Sequence, residues 1–280
     1  MEILRATTMG FCMGVRLAMQ AMEELIKSDT PRPIHTYGPL IHNQRVLDGL
    51  AERGVGRIDR VDEASKGTVV LRTHGVRPQE KQALIDAGVR VVDLTCPRVV
   101  TSQKAVASAV EKGFQVILVG DRNHGEIIAL EGFAPGCEII GTTEEAERVV
   151  MKGPAHVVGQ TTLLRDDFLA ISLILKKRNP LAQTALTLCP ATVQRQNALL
   201  ELSRAVEALL VIGGRNSANT GKLYQQALHT GIPAWHIEGA ADLGADVFGF
   251  SRVGITAGAS TPDWIVEEVE AALRRGGRNV

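Results

Sequence analysis

The sequence predicts an α/β fold made of three units of mostly parallel sheet, and three observations carry that prediction. Cys12, Cys96 and Cys189 each follow a short apolar or β-branched run and precede residues at helical spacing. The segments after each cysteine repeat in the same order. Polar loop residues recur at matched distances, 30 residues from Cys12 to His42 and 28 both from Cys96 to His124 and from Cys189 to Ser217.

The elements follow from local pattern. A strand in MEILRATTMGF leads to Cys12, and Val15, Ala18, Met19, Met22 and Ile26 then mark one face of a helix. Val99, Val106 and Val110 do the same after Cys96, and Ala198, Leu199, Leu202, Ala205 and Val206 after Cys189. Next come the strands RPIHTYG, FQVILVG and ALLVIGG, each ending at a polar loop: LIHN, RNHGE or RNSANT. A helix, a short strand and an acidic or Ala-rich link (VDEAS, TTEEAE, GAADL) lead to an apolar strand ending in THGV, GQTTL or TAGAS. The closing helices are RPQEKQALIDAG, DDFLAISLILKK and PDWIVEEVEAALRRG, the last with Thr261 as N-cap and Pro262 at its first position. In the first two units the next strand runs into Cys96 or Cys189. The third ends at Val280 without such a strand, and the N-terminal segment supplies it. The expected units are 13–96, 97–189, and 190–280 completed by 1–12.

Composition narrows the function classes. The 280 residues carry 31 Lys+Arg against 31 Asp+Glu and are 45% hydrophobic, which excludes disorder and leaves no electrostatic footprint for nucleic acid or an anionic membrane. The N-terminus lacks a basic n-region and a long apolar core, and no apolar run approaches the roughly 18 residues of a membrane span. A cytoplasmic protein is expected. In such a compartment four scattered cysteines without a CxxC pair argue against a disulfide framework and against a zinc ribbon.

A cysteine at a strand-to-helix junction meets backbone N–H groups and the positive end of the helix dipole, which stabilise the thiolate that binds metal. Ligands of open parallel sheets bind beyond the carboxyl ends of the strands, where all three junctions lie. Three equivalent thiolates match three corners of a cubane iron–sulfur cluster and leave one iron without a protein ligand. Two other accounts fit the same residues: small apolar side chains packed in a core, or a zinc hydrolase using the three Cys and a His. Cys137 lies outside the repeat register and reads as structural. His42, His74 and His124, with Thr161, Ser217, Asn219 and Ser260, offer hydrogen-bond donors suited to a phosphate or diphosphate. His35, His156, His229 and His236 have no such register. Glu126, two residues after His124, reads as a proton donor or as an acidic residue favoured at a helix start. No G-x-G-x-x-G fingerprint or Walker A motif is present, so neither a nicotinamide nor ATP is implied.

Taken together, GFCMGV at Cys12, LIHN at His42, THGV at His74, DLTCP at Cys96, NHGE at Glu126, GQTTL at Thr161, LCPATVQRQ at Cys189, RNSAN at Ser217 and TAGASTPD at Ser260 span essentially the whole chain. In that order they resemble the 4-hydroxy-3-methylbut-2-enyl diphosphate reductase (LytB/IspH) family. The resemblance implies a trefoil of three α/β units around a [4Fe-4S] cluster on Cys12, Cys96 and Cys189, which becomes [3Fe-4S] if the open iron is lost. It implies a diphosphate cradle of His42, His74, His124, Ser217, Asn219 and Ser260, a substrate hydroxyl assisted by Thr161, protons from Glu126, and electrons from an external ferredoxin or flavodoxin. Isopentenyl and dimethylallyl diphosphate would be the products, in the last step of the non-mevalonate isoprenoid pathway. The chain departs from the family pattern in Gly125-Glu126-Ile127-Ile128-Ala129, where a second carboxylate becomes Ile128. It departs also at Ala218, which replaces a serine, at Pro190, which replaces a tyrosine, and at Val193-Gln194. These departures keep open a paralogue acting on another hydroxylated phosphorylated substrate, or a sensor that retains the cluster without catalysis.

Overall fold

In a computed structural model describing residues 1–276, the alternating pattern becomes three four-stranded sheets in which every paired strand is parallel. Of the predicted third unit, 277–280 lie outside the described residues. The chain opens with β1 (Glu2–Arg5) and α1 (Met13–Lys27). It continues through β2 (Ile34–Tyr37), α2 (Gln44–Glu52), β3 (Val55–Ile58), β4 (Thr68–Leu71), α3 (Pro78–Asp86) and β5 (Arg90–Asp93), forming a sheet of order β3-β2-β4-β5. After α4 (Pro97–Glu111), the strands β6 (Gln115–Val119), β7 (Glu138–Ile140), β8 (Ala155–Gly159) and β9 (Gln183–Ala185) pair in the order β7-β6-β8-β9, with α5 (Gly125–Glu131), α6 (Thr143–Arg148) and α7 (Arg165–Arg178) between them. Then come α8 (Pro190–Ser203), β10 (Ala208–Ile212), α9 (Ala218–Leu228), β11 (Ala234–Ile237), β12 (Arg252–Ala257) and α10 (Asp263–Gly276). The third sheet has the order β1-β12-β10-β11, so the first strand of the chain pairs with the last.

The central strands are buried on both faces, which is why they read as unbroken apolar runs instead of alternating ones. In β10, Leu210 and Ile212 pack with Ile255 of β12 and Ile265, Val266 and Val269 of α10, while Leu209 and Val211 pack the other way against Leu199, Leu202 and Leu223 of α8 and α9. In the second sheet Val116, Leu118 and Val158 meet Val106 and Ala109 of α4 and Ile127 and Leu130 of α5. Val69 and Leu71 of β4 bury against Leu84 of α3 in the first.

The acidic links diverge. VDEAS and GAADL form 3-10 turns (Val61–Glu63 and Ala240–Asp242), whereas TTEEAE becomes α6 because the Thr142 hydroxyl caps Glu145 N–H and the Glu145 carboxylate returns to Gly141 N–H. The expected cap at the last helix is corrected. Helix α10 starts at Asp263, one residue after Pro262, and the Thr261 hydroxyl donates to the Ile212 carbonyl at 3.0 Å instead of capping.

Two compact units divide the chain. One comprises 1–15, 42–44 and the chain from Pro190 onward, and contains the third sheet; the other comprises 16–41 and 45–189, with the first and second sheets. Within the latter, Arg77 beside α3 pairs with Glu131 of α5 at 3.2 Å. No helix among the described residues is long and apolar enough to cross a membrane.

Candidate active site

The same backbone anchor recurs at each repeated cysteine. Strands β1, β5 and β9 are edge strands, each beside the strand whose end is polar, and each leads to a cysteine directly before a helix. Cys12 N–H donates to Ala259 O at 3.1 Å, Cys96 N–H to Thr73 O at 3.0 Å, and Cys189 N–H to Thr161 O at 3.0 Å. The acceptors lie in the three polar ends TAGAS, THGV and GQTTL. Cys96 is the N-cap of α4, and Pro97 and Pro190 open their helices, a position that needs no amide donor. All three thiols are partly buried and none is in a disulfide.

Cys137 sits differently. It packs against the apolar cluster of α4, α5 and β6, and burial, reinforced by Glu131, pushes its thiol up to about 11, away from the thiolate that a metal requires.

In the larger unit, His124 caps α5: its Nδ1 accepts the Glu126 N–H at 3.1 Å. A neutral ring in that role carries its proton on Nε2, which leaves Nε2 a donor. His74 stands edge-on to it, with ring centroids 5.4 Å apart. Glu126 is 1% exposed, and both its oxygens are held by Thr161, whose N–H donates to Oε1 at 2.8 Å and whose hydroxyl donates to Oε2 at 2.7 Å. Desolvation outweighs these bonds and pushes the carboxyl up to about 7. Thr161 thus holds an acid with its donors and Cys189 with its carbonyl. Gln160 beside it accepts from Asp121 N–H and donates to Thr162, tying the loop after β8 to the loop after β6.

In the smaller unit, Ser217 is the N-cap of α9 and accepts from Thr220 N–H. Ser260 donates to His42 O at 3.0 Å, and its hydroxyl lies 3.5 Å from that of Ser217. The backbone closes tightly there: a Cβ on Gly214 would come within 2.6 Å of the same His42 carbonyl. Asn219 is buried, and neither Oδ1 nor Nδ2 has a hydrogen-bond partner among the described residues. An orphaned buried amide can take a polar ligand. Sequence reasoning did not single out Gln160, whose only signal was its place at the polar end of an apolar strand, or Arg195, a charged residue on the buried face of α8.

A family model described as LytB protein matches residues 3–274. The 4-hydroxy-3-methylbut-2-enyl diphosphate reductase of Treponema denticola is 43% identical over 290 residues, covering 99% of this chain and 100% of that one. The protein of that name from Aquifex aeolicus is 34% identical over 98% of this chain and 96% of its own. The solved E-1-hydroxy-2-methyl-but-2-enyl-4-diphosphate reductase of Plasmodium falciparum superposes with a TM-score of 0.91 at 26% identity, over 98% of this chain and 87% of that one. A second structure, of (E)-4-hydroxy-3-methyl-but-2-enyl diphosphate reductase, described as the terminal enzyme of the non-mevalonate pathway, gives 0.71 at 34% identity over 98% of this chain and 100% of that one. With a family match over nearly its whole length and full-length relatives well above 30% identity, the chain belongs to the LytB family.

Proposed function

We propose that this chain is an iron–sulfur reductase that removes the hydroxyl of 4-hydroxy-3-methylbut-2-enyl diphosphate, giving isopentenyl and dimethylallyl diphosphate in the last step of the non-mevalonate pathway. The observation that carries the reading is Glu126, a buried acid with a raised pKa whose two oxygens are fixed by one residue, Thr161. Family membership supports the substrate. The reading also takes 13–96, 97–189, and 190–280 with 1–12 as three α/β units, and the cytoplasm as the place of work.

The residues fit a [4Fe-4S] cluster on Cys12, Cys96 and Cys189. Each is a partly buried thiol outside any disulfide, at a helix N-terminus, in a threefold-repeated backbone setting. When bound, the cluster supplies electrons one at a time and offers one iron without a protein ligand; a ferredoxin or flavodoxin refills it. The chain's own residues do the rest. Serine hydroxyls of Ser217 and Ser260, the Asn219 amide, and the imidazoles of His42, His74 and His124 hold the diphosphate through its oxygens. Thr161 keeps the Glu126 carboxyl oriented. Two electrons and two protons are consumed per turnover: the C–O bond to the terminal hydroxyl breaks, one proton leaves with that oxygen as water, and the other is placed on one of two allylic carbons. Glu126, half protonated near neutral pH, is the group able to deliver them.

Anaerobic purification, iron and acid-labile sulfide analysis, and addition of the allylic diphosphate with a reductant test the reading. About four irons per chain with conversion to the two products is the expected result. Iron without conversion rejects this substrate, and no iron after reconstitution rejects the cluster.

A further inference from the structure

We propose that Arg195 is a positioning residue for Cys12, its guanidinium fixing the turn from which that thiol meets the metal. The inference rests on the reading of Cys12 as a cluster ligand. Arg195 is only 3% exposed, and burying a guanidinium is costly unless its donors are taken up. Here Nη1 donates to Ala191 O at 2.8 Å and Nη2 to Gly10 O at 2.5 Å. Both acceptors flank a cysteine: Ala191 is two residues after Cys189, and Gly10 two residues before Cys12.

The turn that Arg195 grips is also held by backbone hydrogen bonds. Gly10 N–H donates to Ala257 O at 3.3 Å and Cys12 N–H to Ala259 O. Gly10 has φ +72°, and a Cβ there would stand 3.1 Å from Asp263 Oδ1, so a side chain at this position would strain the turn. The repeat makes the arginine conspicuous. Six residues after Cys12 and Cys96, the same helical position holds Ala18 and Ser102, small and buried; only after Cys189 does it hold a long cation. An arginine fork presents its donors to two carbonyls in a fixed plane, whereas an ammonium reaches them from a flexible stem.

The test compares wild type, Arg195→Met and Arg195→Lys as full-length chains, reconstituted anaerobically. One readout is the rate of iron release to a chelator; the other, on the metal-free chains, is the rate at which iodoacetamide alkylates Cys12 relative to Cys96 and Cys189 in the same molecules, by peptide mass spectrometry. Loss of a charge-assisted bond predicts that Arg195→Met loses iron and alkylates at Cys12 about tenfold faster, with Cys96 unchanged and Arg195→Lys intermediate. An unchanged Cys12 ratio, or an equal rise at all three cysteines, overturns the proposal. Should the Met variant not fold, the Lys variant decides by the same ratio. A wild type that takes up no iron rejects the cluster reading, and the alkylation ratio still decides Arg195.

Discussion

Replacing Glu126 by Gln isolates the cost of burying an ionisable acid. The folded carboxyl titrates at about 7 against an ordinary value of 4.5, with burial as the larger cause and the Thr161 bonds opposing it. An acid whose pKa is raised by folding holds its proton more tightly in the folded chain. Its stabilising effect is therefore complete below about pH 4.5 and is lost as pH rises through about 7. The gap between the two values corresponds to roughly 3 kcal/mol. Gln stays neutral throughout. The variant should gain roughly 3 kcal/mol on wild type between about pH 4.5 and pH 8. Gln also places an amide donor against one of the two Thr161 donors, a cost of about 1 kcal/mol that does not vary with pH and drops out of the slope. Urea unfolding of both metal-free chains across that range measures the difference. A gap between them that stays flat to within about 0.5 kcal/mol refutes the buried neutral acid and, with it, the proton-donor role.

Other substitutions test other parts. Cys96→Ser should abolish retention of the four-iron cluster while Cys137→Ser leaves iron content unchanged, as metal analysis after identical reconstitution will tell. Asn219→Asp places a carboxylate where the reading puts a diphosphate, and KM should rise about tenfold or more with the variant still folded; an unchanged KM removes Asn219 from the binding site. Leu210→Ala opens a cavity between the third sheet and α10 and should cost roughly 2–5 kcal/mol in unfolding free energy, with little effect on iron binding in the chain that remains folded.

Period and punctuation made the fold legible. Short apolar runs such as ALLVI and VILV, closed by glycine, fit central strands of sheets covered on both sides, and helical spacing after each cysteine placed the junctions. Contacts distant in sequence were not legible. Thr161 and Glu126 are 35 residues apart and meet only because β6 and β8 are neighbours, so that the loops at their ends adjoin. An imidazole is not among the usual helix caps, so nothing in the NHGE motif announced that His124 Nδ1 serves its own helix. At Thr261 local preference pointed the wrong way. The hydroxyl donates to a buried strand carbonyl, and the helix begins only at Asp263.

The repeat also places one acid among three equivalent positions. The polar loops align His42, His124 and Ser217, and two residues further on, at the starts of α2, α5 and α9, they align Gln44, Glu126 and Asn219. Two of those three positions carry amides, which hold oxygen but have no proton to give at neutral pH. The third carries a carboxyl, and beside it the neighbouring strand end offers both a hydroxyl and an N–H from one residue. The register-equivalent anchors of the other two cysteines are Thr73 and Ala259. Thr73 spends its hydroxyl on Leu40 O, and Ala259 has none to spend. A backbone repeated three times thus fixes three cysteines alike, while side chains at equivalent positions leave a carboxyl in a single loop.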